Sequence, residues 1–187
     1  NESGTGEAEA AETLTDATTV VIADPDADGL ACTALVRAAR GEGALLPAGP
    51  HSLQEALAWA AEYGEPEAAV YICDLCPDSD SDLGALENLS ERVERVAWFD
   101  HHQWDAKLGA MVDEAGVERT VGESEAVCTA DVALEQLDFD FDERWAELAA
   151  VTRDHDLWIR DDERSDDLAD FAYWADPEEY IEAVAEH

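Results

Sequence analysis

The segment VAWFDHHQW, residues 96–104, carries an apolar run straight into Asp100, His101 and His102. Three titratable groups at the end of a buried strand need a partner, because an unpaired buried charge costs several kcal/mol or shifts its pKa until it is neutral. A metal ion, a substrate phosphate or a hydrogen-bond network meets that need. Two other segments end the same way: VVIADPDAD at Asp24, Asp26 and Asp28, and VYICD at Asp74. Carboxylates brought within a few ångströms raise one another's pKa, and divalent cations resolve the conflict. Carboxylates with an imidazole suit manganese, and also magnesium or zinc, whereas calcium prefers all-oxygen shells. Two such ions activate water and neutralise phosphoryl oxygens, which is the plan of a phosphoester hydrolase.

Each piece taken alone has a plainer explanation. DPDADG could be a turn with Asx hydrogen bonds; it is not a calcium loop, because the twelfth residue from Asp24 is Leu35 rather than Glu. Asp74 could cap a loop, and DHH could be a satisfied polar cluster. Three strand-end clusters of ligand type together favour a site. The cysteines add little to it: Cys73 and Cys76 form one CDLC, Cys32 and Cys128 lie in expected helices, and no second pair has zinc spacing. Buried free thiols are expected.

The elements that must position these groups follow from periodicity. TTVVIADPDADGLACTALVRAARGEG reads as strand, turn and helix ending at Gly41. ALLPAG is a short strand, and SLQEALAWAAEYG a helix with Ser52 as N-cap and Glu55 completing a capping box. EAAVYICD and RVAWFD are further strands, separated by the loop and helix DSDSDLGALENLSERV. SEAVCTADVALEQL, with Ser124 as its N-cap, and DERWAELAAVTRDHD read as helices, and DDLADFAYWADPEEYIEAVAEH as two more broken near Pro177. The alternation predicts an α/β, Rossmann-like doubly wound, mostly parallel sheet flanked by helices, with a helical C-terminal part. In such a sheet the carboxyl ends of the strands share one edge, where ligands bind.

The 187 residues are expected to form one catalytic domain over 18–187, preceded by an acidic flexible tail over about 1–17. Asp and Glu number 47 against 10 Lys and Arg, a formal charge of −37. The acids run along the whole chain among apolar residues, so the folded surface itself is acidic. Such self-repulsion is screened at about 1 M salt, where the Debye length is roughly 3 Å. The near absence of lysine (Lys107 alone) gives a composition similar to that of proteins from extreme halophiles. No apolar run or signal sequence is evident, so a cytoplasmic protein with no membrane contact is expected.

In order, DPDADG, CDLCPD, FDHH and TRDHDLW resemble the four motifs of the DHH phosphoesterase superfamily, and DADG followed by LACTALV is similar to its RecJ-like members. The resemblance spans about residues 20–160. It implies that Asp26, Asp28, Asp74, His101 and Asp154 hold two Mn2+ ions (Mg2+ as the substitute), with Asp74 bridging, Asp100 orienting His101, and His102 facing the substrate. Many members carry a metal-binding His where this chain has Ile22; Asp24 is the candidate to fill that gap. The superfamily's usual C-terminal substrate-binding domain is not expected within these 187 residues, which leaves Arg153, Arg160 and Lys107 as the cations expected near the site. The expectation is then either a single-domain member or a fragment, or a chain whose remaining substrate contacts come from a second copy or a partner protein.

The resulting expectation is a manganese-dependent phosphodiesterase or exonuclease acting on single-stranded nucleic acid or short oligonucleotides by two-metal activation of water. Hydrolysis of a small phosphate compound (pyrophosphate, pAp or a nucleotide) and a non-catalytic replication or repair scaffold are the alternatives. Single-strand binders use a basic, aromatic-lined groove. This chain has six tryptophans but almost no basic stripe, and high salt weakens phosphate contacts steeply.

Overall fold

Alternation along the central strands sorts side chains into two layers. In the computed structural model, which describes the backbone of residues 2–187 and side chains from residue 6 onward, β1 (Thr19–Ala23), β3 (Ala69–Cys73) and β4 (Arg95–Asp100) are the buried core of an all-parallel sheet. The edges are β2 (Ala44–Pro47) and β5 (Glu118–Val121), in the order β2-β1-β3-β4-β5. Val20, Ile22, Val70, Ile72 and Trp98 face one way; Val21, Ala23, Tyr71, Cys73 and Phe99 face the other. Apolar residues on both faces of a strand require helices on both sides.

The first face is covered by α1 (Glu2–Leu14), α3 (Leu53–Tyr63), α4 (Asp80–Arg92) and α5 (Ala106–Glu114). Against the second pack α2 (Ala27–Arg40), α6 (Thr129–Gln136), α7 (Glu143–Asp156), α8 (Arg164–Trp174) and α9 (Pro177–Glu186). The predicted doubly wound α/β fold with a helical C-terminal part is therefore the fold observed. Its strand order reverses between β1 and β3, which opens a crevice at the ends of those strands, the place where doubly wound sheets generally bind ligands. Among the described residues, no helix is long and apolar enough to cross a membrane.

Four local expectations need correction. The N-terminal segment, expected to be a flexible tail, forms α1: Ala10 and Leu14, one helical turn apart, are buried in the core, and the Tyr63 hydroxyl donates to Glu7. Its acidic residues lie around that narrow stripe and masked it in the composition. Residues 106–121, given no element from sequence, form α5 and β5; β5 is a half-exposed edge strand held by backbone pairing to β4, so it lacks strand alternation. The Ser52 hydroxyl accepts from Gly49 N–H instead of closing a capping box with Glu55. Ser124 is not an N-cap, because α6 starts five residues later with Cys128 at that position.

Candidate metal centre

The loop from β1 into α2 brings three carboxylates to the crevice. Asp26 caps α2, accepting from Gly29 N–H at 2.8 Å. Gly29 is required there: a Cβ would stand 1.8 Å from the Asp24 carbonyl oxygen. That close approach turns Asp28 inward on the first turn of α2, where it is fully buried. Its two carboxylate oxygens accept from the Thr129 and Ala130 amides at 2.9 and 2.8 Å, so the N-terminus of α6 partly neutralises it.

Asp74 stands at the end of β3 with φ 60°, a left-handed conformation uncommon for a non-glycine residue and concentrated at functional sites. Its amide donates to the Phe99 carbonyl, and its carboxyl accepts from the Thr129 hydroxyl at 3.0 Å.

From the end of β4, His101 enters this group. Its Nε2 lies 3.1 Å from Asp156 Oδ2 and 3.6 Å from both Asp28 Oδ2 and Asp74 Oδ1. Its Nδ1 is buried without a hydrogen-bond partner. His102 is half-exposed beside it, with Nδ1 2.6 Å from Asp100 Oδ1, while Trp104 Nε1–H donates to the other Asp100 oxygen.

Charge crowding shows in the titration of these groups. Burial, then the Asp26 charge, pushes Asp24 up to about 6, with His102 opposing. Burial and the Asp156 charge likewise raise Asp28 to about 6, against the two amides of α6. Burial, then the Asp28 and Asp26 charges, raise Asp74 well above the usual carboxylate range. Asp26 is also raised by burial, since its carboxyl faces its neighbours although the residue is exposed on its other side. Burial alone would depress His101, yet the Asp156 hydrogen bond and the charges of Asp28, Asp156 and Asp100 carry it up to about 9. His102 is raised chiefly by its hydrogen bond to Asp100.

These residues fit a cation. Asp28, His101 and Asp156 each offer a ligand atom, and so do Asp74, His101 and His102; within each trio the atoms lie within 4.8 Å of one another. The His101 ring stands among three carboxyl groups, 3.1 to 3.6 Å from its Nε2, and its other nitrogen gains no hydrogen bond in return. A mixed oxygen and nitrogen donor set accommodates several divalent ions and selects none by itself.

Two roles implied by the family resemblance change in the structure. Asp154 does not reach the cluster: its carboxylate accepts from the Asp161 and Asp162 amides at 2.9 and 3.2 Å. Burial works against it, yet these bonds and one from Ser165 hold it below its ordinary value. Asp156, two residues further along the last turn of α7, points into the cluster instead. Asp100 orients His102 rather than His101: its Oδ1 lies 2.6 Å from His102 Nδ1, whereas His101 Nδ1 has no hydrogen-bond partner. Asp24 lines the acidic cavity beside Asp26, Asp28 and Asp156.

Thr129 and Ala130 escaped the sequence reading, and Asp156 stood in TRDHDLW beside Asp154 without being assigned as a ligand. Thr129 lies 101 residues from Asp28, and backbone amides leave no trace in a sequence. Asp156 did leave a signal: Trp145, Ala149, Thr152 and Asp156 recur at helical spacing, and the first three are buried. The four cysteines are free; three are buried, with burial raising the Cys32 and Cys128 thiols, as the expectation of free thiols requires.

No protein-family model matches this chain. No curated protein matches it either.

Proposed function

We propose that the chain is a manganese-dependent phosphoester hydrolase of the RecJ-like DHH type, acting on single-stranded nucleic acid or short oligonucleotides. The observation that carries this reading is the convergence of Asp28, Asp74, His101 and Asp156 at the switch point of a parallel sheet. Those four residues, with Asp26, would hold the metal, which when bound lowers the pKa of water and neutralises phosphoryl oxygens.

The remaining work belongs to side chains. Thr129 and the amides of α6 fix Asp74 and Asp28 in orientation, so no carboxylate has to reorganise when substrate arrives. Trp104 and His102 share Asp100, which leaves His102 Nε2 as the free ring nitrogen on the open side. The hydrogen bond to Asp100 raises His102 above its ordinary value, which favours a role as the proton donor from Nε2 to the leaving oxygen.

A second reading, hydrolysis of a small phosphate compound, is favoured by the scarcity of free cations. Arg153 is tied to Asp131 at 2.7 Å and is not available to a phosphate chain. The acidic cavity measures about 390 Å³, room for one small substrate or the end of a longer one.

The deciding measurement is hydrolysis of a labelled short oligonucleotide, and of pyrophosphate in parallel, in about 2–3 M KCl to screen the surface charge. The expected result is Mn2+-dependent shortening of the oligonucleotide that is lost in Asp74→Asn. Release of phosphate from pyrophosphate alone would select the second reading. Inactivity on both substrates by folded, Mn2+-binding protein would overturn the hydrolase assignment.

A further inference from the structure

Tyr173 and His155 line the acidic cavity, and through His155 a further aromatic side chain stands next to it; the proposed chemistry uses none of them. Tyr173 of α8 lines the cavity together with Asp24, Asp26, His155 and Asp156, yet it is 79% exposed. Trp158, 68% exposed, stacks on His155 with ring centroids 6.1 Å apart and planes 28° from parallel. The Arg160 guanidinium lies 4.5 Å from the centroid of the Trp158 ring.

Arg160 makes no ion pair among the described residues, although the chain carries 47 acids. A cation laid on an exposed indole keeps its charge for a ligand. The display is built with care for direction: Trp158 and Arg160 have φ of 56° and 59°, left-handed values that side-chain-bearing residues rarely adopt. Asp154 enforces them, since its carbonyl accepts from Ile159 N–H and its carboxylate from the Asp161 and Asp162 amides. The residue that fails to reach the metal cluster therefore holds the loop that presents Trp158 and Arg160.

We propose that Trp158, Arg160 and Tyr173 form a nucleobase-stacking subsite beside the metal centre. The substrate class is then a phosphodiester bearing bases, held by stacking more than by its phosphates; this rests on the phosphoester-hydrolase reading above. Flat rings accept any base, and each base–aromatic contact survives salt that screens phosphate contacts. A protein segment laid on the same side chains would cover the rings but leave the adjacent carboxylates unpaired. A nucleotide with its base on the rings would instead bring its phosphate towards the carboxyl groups that would hold a cation.

The test compares a labelled tetra-deoxyadenylate with an abasic deoxyribose-phosphate strand of the same length, in about 2 M KCl with Mn2+. Affinity is read by fluorescence anisotropy in the Asp74→Asn background, and hydrolysis in the otherwise unaltered protein. The base-bearing strand is expected to bind about tenfold or more tightly than the abasic one, the order of magnitude of a single stack. That ratio falls towards one in Trp158→Ala and in Tyr173→Ala and is retained in Trp158→Phe, with hydrolysis changing through KM rather than kcat.

Equal affinity for the two strands in the presence of all three residues overturns the subsite. So does an equal loss of both strands in the alanine variants, which marks a structural role. Self-association that disappears in Tyr173→Ala, with equal strand affinities, assigns these side chains to a second copy and also overturns it. Base-dependent binding without hydrolysis of any substrate supports the subsite and rejects the hydrolase reading. Hydrolysis without base discrimination does the reverse.

Discussion

Nε2 of His101 lies 3.1 Å from Oδ2 of Asp156, joining the end of β4 to the last turn of α7 across the mouth of the sheet. Asp154, two residues earlier on the same turn, faces the opposite way and binds loop amides. The two aspartates should therefore respond differently to the same substitution. Asp156→Asn is expected to lower Mn2+ affinity by about tenfold or more, the scale on which loss of a ligand or its support acts. Asp154→Asn should leave that affinity close to unchanged while speeding amide exchange over residues 157–162. Titration calorimetry and hydrogen exchange on the same two variants check both outcomes.

Metal-free protein should lose stability as the pH rises from about 4 to 6. Asp28 is raised from its ordinary 3.8 to about 6 in the folded chain, so between those values the folded state binds more protons than the unfolded one. Stability from this group is full below the unfolded pKa and is lost as pH climbs through the folded one, to the order of 3 kcal/mol by pH 7. Asp24, also raised to about 6, acts in the same direction. Denaturant melts at pH 4.5 and 7 should show the slope, Asp28→Asn should flatten it, and Mn2+ should oppose it while releasing protons to the buffer.

Gly29 and Gly41 separate two reasons for glycine. Gly29→Ala drives a methyl to 1.8 Å from the Asp24 carbonyl and must displace the loop that carries Asp24, Asp26 and Asp28. A loss of about 2–4 kcal/mol with weaker Mn2+ binding is expected, as for other severe overpacking. At Gly41, φ is 84° and a Cβ meets nothing within 4 Å. Gly41→Ala should cost only about 1 kcal/mol and leave metal binding untouched. Chemical denaturation and calorimetry on the pair distinguish them.

A formal charge of −37 on a folded chain makes stability depend on salt. Raising KCl from about 0.1 to 2 M shortens the Debye length from roughly 10 Å to under 3 Å and should lift the thermal midpoint by on the order of 10 °C. The comparison is made on metal-free protein, so that salt is not competing with a bound divalent ion.

The sequence by itself determined the parallel doubly wound sheet and the strand ends that face the crevice. Strands such as TVVIA and AVYIC are buried on both faces, and their apolar runs and the helices between them are local, additive signals. Asp74 and His101 follow from them, because a strand's end is fixed once the strand is, and Asp28 follows from the turn and helix start after the first strand. Tertiary structure alone decided which residues those groups meet. Whether Asp154 or Asp156 turns inward depends on a rotation of about 200° between two positions of one helix, set by how α7 packs and by the loop amides that claim Asp154. Asp100 serves His102 because the chain bends after β4, and Thr129 reaches Asp74 because α6 docks its N-terminus there. The helix α1 was hidden for the same reason: Ala10 and Leu14 form too thin a stripe to register until α3 and the sheet are present to cover them. Hydrophobic period is written along the chain, whereas the partners of a buried polar group are chosen in space.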